Sequence, residues 1–211
     1  MTTRPWDTGD LDRNWTGYFI PASSVLRNLV HATTHDELTD AEVDLSEYRL
    51  LELRENPVLT GPRSYDLAHL CAIHRQLFCD VYEWAGEVRT VGLNNGGVAF
   101  CPPANIGQPM NHVADEIARS DQLRAVTPDQ LPRTVAYLYD YVNFAHPFRE
   151  GNGRSTREFF DQLLAERGCG LDWERTDSTE LHTACHDARD TGDLSGLIHM
   201  FTNIIDDHPA Y

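Results

Sequence analysis

Residues 146–157 bring together the side chains and backbone groups that phosphate chemistry requires. Gly151 and Gly153 flank Asn152 there, and glycine and asparagine adopt positive φ at low cost, so this turn can aim successive backbone N–H groups at one anion. Apolar residues at helical spacing follow and predict a helix over 154–167. The turn then lies at a helix N-terminus, where free N–H groups and the helix dipole favour negative charge. The pattern predicts a binding site for the phosphates of a nucleotide.

Four side chains beside this turn could take part in phosphate chemistry. Arg154 and Arg157 are three residues apart on the predicted helix, so both can reach phosphate oxygens from its first turn. Glu150 would repel bound phosphates unless Mg²⁺ lay between them, which makes it the predicted metal ligand. His146 is the only side chain of the loop that accepts a proton near neutral pH, and we assign it as the general base. A helix C-terminus favours imidazolium, so the bound magnesium nucleotide and a hydrogen-bond partner of the ring must settle its protonation state.

These residues match every fixed position of the Fic family motif, His-x-Phe-x-(Asp or Glu)-Gly-Asn-Gly-Arg-x-x-Arg, so the chain resembles that family. A second stretch, residues 82–89 followed by 100–103, resembles the strand-and-flap region upstream of the motif. The resemblance covers residues 64–170. It implies a compact, mainly α-helical bundle with a short β-hairpin flap over the active site. Apolar spacing in residues 171–211 predicts C-terminal helices beyond the resemblance.

The resemblance also implies an activity. A hydroxyl group of a target protein, on Tyr, Thr or Ser, would attack the α-phosphate of ATP, and pyrophosphate would leave. His146 would deprotonate that hydroxyl, and Glu150 would hold Mg²⁺ against the α- and β-phosphates. The glycine-rich turn would cradle these two phosphates, with its asparagine amide donating to the α-phosphate. Arg154 and Arg157 would hold the β- and γ-phosphates.

Composition narrows the possible functions. All 17 basic residues among the 211 are arginine, which excludes a P-loop lysine, a kinase-type catalytic lysine and a pyridoxal Schiff base. The formal net charge of −16 argues against general attraction to nucleic acid or to an anionic membrane, so we expect the macromolecular partner to be a protein.

The five cysteines predict reduced thiols and a cytoplasmic location, because their number is odd and no C-x-x-C spacing occurs. No apolar run is long enough for a membrane span. Length and apolar content predict one domain over residues 1–211, in which the polar segment 1–15 is loosely ordered.

The elements that position the site follow from spacing and capping signals. A short helix is predicted at Ser23 or Ser24, and Thr39 with Glu42 forms a capping-box pattern that opens a helix ending before Asn56. Further helices are predicted over 66–82, 106–123, from Thr127 to the motif, 154–167, 178–187 and 194–205.

A β-hairpin is predicted where the periodicity changes, with residues 88–93 pairing with 98–100. It could serve as a cover for the site or as an exposed strand edge that clamps an extended target segment. The resemblance favours the second role for the flap residues, which are Asn94, Asn95, Gly96, Gly97, Val98, Ala99 and Phe100.

Many Fic proteins are inhibited by a helix with the pattern Ser/Thr-x-x-x-Glu-(Gly or Asn), whose glutamate pairs with the second motif arginine. The segments 33–37 and 176–180 match loosely, but leucine follows the glutamate in both. We therefore expect a small, separately encoded antitoxin that contacts Arg157.

Three alternatives stay open. The same turn could support transfer of phosphate, UMP or phosphocholine, or the chain could be a non-catalytic helical module that retains an anion-binding turn. The presence of both His146 and Glu150 argues against the second, because neither is needed to bind phosphate. His182, Cys185 and His186 share a helix face that could bind Zn²⁺, although an ordinary surface helix is the favoured interpretation.

Overall fold

The computed structural model describes residues 4–206, and in this part of the chain helices dominate. Two small antiparallel sheets of two-residue strands accompany them, β1 with β2 and β3 with β4. The mainly helical fold class with a short hairpin is confirmed. The elements in chain order are α1 Leu11–Gly17, α2 His35–Glu55, α3 Leu67–Phe78, β1 Asn94–Asn95, β2 Val98–Ala99, α4 Gly107–Arg119, α5 Leu131–Ala145, α6 Asn152–Glu166, β3 Gly170–Leu171, α7 Ser178–Thr191, α8 Ser195–Ile204 and β4 Ile205–Asp206.

Helices α5 and α6 form the centre of the molecule and are joined by the motif turn. Helix α5 packs against α4, α6, α7 and α8, while α6 also packs against α3. Val135, Leu138 and Val142 on α5 are fully buried, as are Phe159 and Phe160 on α6. The three α5 residues are three and four positions apart, which places them on one helix face. Burial of such apolar side chains contributes about 1.5–3 kcal/mol each. The turn between the helices is thus fixed by the core on both sides.

Helix α2 begins earlier than its sequence predicted. A capping box forms between Thr34 and Glu37, and the helix starts at His35 rather than near Thr39. The same Thr-x-x-Glu pattern occurs at Thr39 and Glu42, but that glutamate bonds to the Tyr82 hydroxyl instead. The predicted end of the helix before Asn56 is confirmed.

The N-terminal region differs from two expectations. The structure has no helix at Ser23, because Leu26 pairs with Phe19 in an isolated β-bridge. Residues 11–17 form helix α1, which was not predicted, and before it Trp6 is 3% exposed and donates from its indole N–H to Glu87. Residues 1–3 and 207–211 lie outside the described part of the chain.

The flap is a shorter hairpin than predicted. Asn94 pairs with Ala99 and Asn95 with Val98, and Gly96 and Gly97 between them both have positive φ (58° and 89°), as tight hairpin turns require. Residues 88–93 form no strand: the Leu93 carbonyl accepts from the Phe100 N–H at 3.1 Å, but the N–H groups of Arg89 and Thr90 donate outside the hairpin. The Arg89 N–H, for example, donates to the Pro147 carbonyl.

The remaining helices follow the predicted order with shifted ends. Helix α5 begins at Leu131, since the Thr127 carbonyl closes a preceding turn with the N–H groups of Gln130 and Leu131. Strand β3, which follows α6, and strand β4, after α8, were not predicted. Residues 4–206 contain no helix with the length and apolar character that a bilayer crossing requires.

Candidate active site

The motif turn has the geometry of an anion-binding helix start. Gly151 precedes α6 with φ 78° and ψ 7°, and a Cβ atom there would lie 2.5 Å from the Phe78 ring. Among the described residues, no side chain caps α6. Asn152 and Gly153 of its first turn line the cavity, whereas Gly151 does not. A helix start without a side-chain cap is the arrangement that binds phosphate at helix N-termini.

Asn152 stabilises the turn with its side chain. Its Oδ1 accepts from the Phe148 N–H at 2.9 Å, and its Nδ2 donates to the Phe148 carbonyl at 2.8 Å. The side chain is buried, and these two bonds hold its amide against the loop. The backbone N–H of Asn152 and the second N–H of its amide remain for a phosphate, because Asn152 also lines the cavity.

His146 ends α5 in the left-handed conformation, with φ 41° and ψ 60°, and its imidazole lines the cavity. The ring of Phe100 from the flap stacks on it, with 3.7 Å between centroids and 13° between planes. Burial and, to a smaller extent, the charge of Arg89 lower the pKa of His146 to about 4, although a hydrogen bond to the Asn143 backbone opposes both effects. The imidazole is therefore neutral at physiological pH, and the partner that the sequence left unidentified is the backbone of Asn143.

Glu150 lies at the mouth of the turn, is exposed, and lines the same cavity. One of its carboxylate oxygens accepts from the Gly151 N–H at 3.0 Å. Its backbone carbonyl accepts from Nε2 of His74 at 2.9 Å, while Nδ1 of that ring accepts from the Gly86 N–H at 2.8 Å. Buried and stacked 3.8 Å from the Phe148 ring, His74 fixes the backbone from which Glu150 projects.

The two motif arginines have different surroundings. Arg157 lines the cavity, its Nε is buried without a hydrogen-bond partner, and no ion pair between described residues includes it. Arg154 instead points toward α2, where it pairs with the Glu42 carboxylate and donates to the Ser46 hydroxyl at 2.9 Å. Burial lowers the pKa of Arg154 to about 10. The structure thus brings Arg157, but not the Arg154 side chain, to the cavity with His146.

The cavity has a volume of about 410 Å³, which is within the range of small-molecule sites. The turn and α6 form its base, Asn94, Asn95, Val98 and Phe100 of the flap form one wall, and α7 forms another. Gly96, Gly97 and Ala99 are not part of that wall.

The α7 wall was not predicted, although its signal was visible as the shared helix face of His182, Cys185 and His186. These side chains border the cavity together with Arg189. Arg189 is held by an ion pair with the buried carboxylate of Asp140 on α5. Within residues 4–206, no group of three metal-binding side chains is close enough to hold an ion, so the alternative zinc site is not formed.

A second cavity of about 380 Å³ lies between α2 and α6. Its apolar side includes Val43, Leu50 and Trp173, and its polar side includes Glu158 and Arg157. Arg157 therefore borders both cavities.

Sequence comparison relates the chain to known proteins that have this motif's family name. A model described as the Fic/DOC family matches residues 64–164. A protein of Salmonella typhimurium named "Probable protein adenylyltransferase Fic" is 31% identical over 188 residues, which cover 89% of this chain and 91% of that protein. "Protein adenylyltransferase VbhT" of Bartonella schoenbuchensis is 34% identical over 167 residues, which cover 79% of this chain and 34% of that longer protein.

A solved structure of a Bartonella protein has a similar fold. The BepC protein of Bartonella tribocorum, a VirB-translocated effector with bound AMPPNP, has a TM-score of 0.84 at 22% identity, with 93% of this chain and 98% of that chain covered. The chain belongs to the Fic family, as the motif indicated.

Proposed function

We propose that this chain transfers AMP from ATP to a Tyr, Thr or Ser hydroxyl of a target protein and releases pyrophosphate. A relative that matches it over nearly its whole length is named a protein adenylyltransferase, and the chain is a nucleotidyltransferase of this class. One observation carries the proposal: a neutral imidazole, a carboxylate, an uncapped helix N-terminus and the guanidinium of Arg157 border one cavity in the described part of the chain.

The proposed chemistry follows from the state of each group. Neutral His146 accepts the proton of the target hydroxyl while the hydroxyl oxygen forms a bond to the α-phosphorus of ATP. The bond from that phosphorus to the bridging oxygen breaks, and its electron pair leaves with pyrophosphate. Base catalysis typically contributes about 10²–10⁴ in rate, so positioning and charge neutralisation must supply most of the acceleration.

The phosphates are proposed to lie along the start of α6. Backbone N–H groups of residues 151–153 would bind the α- and β-phosphates, for which the Gly151 N–H must give up its bond to the Glu150 carboxylate. Arg157 would bind toward the γ-phosphate. Arg154 could contribute its predicted phosphate contact only by giving up its ion pair with Glu42.

Glu150 fits the magnesium that the nucleotide would carry. Mg²⁺ is usually held by one or two carboxylates together with substrate phosphates, and one exposed carboxylate at the turn meets that need. When bound, the ion would neutralise negative charge on the phosphates.

Three further proposals concern partners and location. The exposed hairpin would align an extended target segment over His146 by strand addition. A small, separately encoded antitoxin would inhibit transfer by placing a glutamate at Arg157, and the second cavity beside that residue supports such a contact. The cytoplasm is the proposed location, which five unpaired cysteines support.

The test uses ATP labelled on the α- or the γ-phosphate, incubated with Mg²⁺, the protein and a cell lysate. Retention of the α-label on a lysate protein is expected; retention of the γ-label would indicate phosphate transfer, and retention of neither would favour a binding module.

A matched pair of variants checks the base. His146 and His31 both have positive φ, which asparagine tolerates, so His146→Asn and His31→Asn make the same change at the site and at an exposed position. Only His146→Asn should abolish labelling. Equal labelling by the two variants would rule out the proposed base.

A further inference from the structure

Arg89 is a buried cation outside the motif. Arg89 is 1% exposed, yet no ion pair between residues 4–206 joins it to a carboxylate. The guanidinium instead donates to four backbone carbonyls: His146 at 2.7 Å, Val91 at 2.6 Å, Cys101 at 2.6 Å and Ala145 at 3.4 Å. Burial lowers the pKa of Arg89, but an arginine retains its charge in proteins.

Two of these carbonyls belong to the C-terminus of α5. The last carbonyls of a helix have no partner within the helix, and a cation there is stabilised by the helix dipole. The Arg89 N–H also donates to the Pro147 carbonyl at 2.8 Å, so one residue binds three consecutive carbonyls, of Ala145, His146 and Pro147. A left-handed non-glycine residue costs about 1–2 kcal/mol, and these bonds hold His146 in that conformation.

The other two carbonyls lie on either side of the flap. Val91 lies before β1 and Cys101 lies after β2, so Arg89 binds both ends of the segment that contains the hairpin. The Cys101 N–H in turn donates to the Phe144 carbonyl at 2.9 Å on α5. Phe100, which stacks on the imidazole, is adjacent to this anchor. One side chain therefore links the backbone of the base to both ends of the flap above it.

We propose that Arg89 is a positioning residue that fixes His146 and the flap in the arrangement needed for transfer; this inference rests on the proposed function. The charge of Arg89 also opposes the dipole of α5, which alone would favour imidazolium. The other charged or titratable residues that line the cavity with the imidazole are Tyr139 of α5, Arg149 and Glu150 of the turn, Arg157 of α6, and His182, Cys185, His186 and Arg189 of α7.

The test compares Arg89→Lys, Arg89→Gln and the control Arg133→Gln, which removes one exposed positive charge from α5, the helix whose last carbonyls Arg89 binds. Titration calorimetry with Mg²⁺ and ATP, without target, should give dissociation constants within about three-fold of wild type for all variants, because Arg89 does not line the cavity. The rate at saturating ATP should fall about 100-fold in both Arg89 variants, as misplacement of a catalytic group by about 1 Å predicts, with KM for ATP unchanged.

The pH profile separates geometry from charge. Lysine keeps the charge, so the acid limb of the transfer rate should stay at the wild-type position in Arg89→Lys. In Arg89→Gln the limb should move upward by about one pH unit, because the imidazole loses the repulsion of a nearby cation.

Three results would overturn the inference while wild type remains active. They are wild-type rates in both Arg89 variants, an unmoved acid limb in Arg89→Gln, or loss of ATP binding together with transfer, which would indicate a role in folding alone. A wild-type protein that transfers no label would instead contradict the proposed function.

Discussion

Replacement of Gly151 by alanine tests whether the motif turn depends on a backbone conformation that only glycine adopts without strain. The residue has φ 78°, and a Cβ atom would lie 2.5 Å and 2.6 Å from two ring carbons of Phe78 and 3.1 Å from Nε2 of His74. The left-handed conformation costs alanine about 1–2 kcal/mol, and overpacking in a core typically costs about 1–3 kcal/mol. Gly151→Ala should therefore lower the free energy of unfolding by about 2–5 kcal/mol.

Gly153→Ala provides the matched control two residues later. Gly153 is helical, and the nearest atom to an added Cβ is Nη2 of Arg157 at 3.9 Å. Alanine is preferred over glycine inside helices by about 0.8–1.0 kcal/mol, so this variant should be slightly more stable than wild type.

Equilibrium urea unfolding or thermal melting measures both effects. For a chain of this size, 1 kcal/mol corresponds to about 2–4 °C in Tm, so Gly151→Ala should lower Tm by about 4–20 °C while Gly153→Ala raises it slightly. Equal stability of the two variants would refute the argument that the positive φ and the Phe78 contact require glycine.

Three other outcomes are expected. Arg157→Gln should weaken ATP binding about 10- to 100-fold, the usual effect of losing hydrogen bonds to a charged group, whereas Arg154→Gln should mainly lower Tm; equal losses of affinity by calorimetry would contradict this division. Phe100→Ala should expose the imidazole of His146 and raise its pKa toward the ordinary 6.5, so the ratio of transfer rates at pH 6 and pH 8 should fall below that of wild type. Burial lowers the pKa of His74 to about 3, so below pH 6.5 the unfolded chain binds a proton that the folded chain excludes, and the protein becomes less stable as the pH is lowered. His74→Gln should therefore reduce the slope of unfolding free energy against pH between pH 4 and 6 by up to about 1.4 kcal/mol per pH unit. An unchanged slope would show that this ring is not a buried neutral base.

The local parts of the site were predictable because they depend on contiguous residues. The turn at Gly151, the helix after it and the placement of His146 at the end of α5 follow from glycine conformation and apolar spacing alone. The hairpin turn at Gly96 and Gly97 follows for the same reason.

The other parts depend on contacts between distant residues, which a single sequence does not reveal. Thr34 and Thr39 begin identical capping patterns, but only Thr34 caps α2. Glu42, the partner that Thr39 would need, instead binds Tyr82, which is 40 residues away, and Arg154, which is 112 residues away. The strand predicted around Arg89 is absent because its backbone bonds to the motif loop, more than fifty residues later.

The position of Arg157 between the two cavities has a thermodynamic consequence. A single guanidinium that forms part of both walls couples whatever occupies them. A carboxylate bound from the α2 side and a terminal phosphate bound from the α6 side would compete for the same hydrogen-bond donors, so each would weaken the other by an equal factor. A partner that places an acidic group against Arg157 would be displaced as the concentration of nucleotide rises. Its apparent affinity for the chain would therefore decrease with increasing ATP concentration.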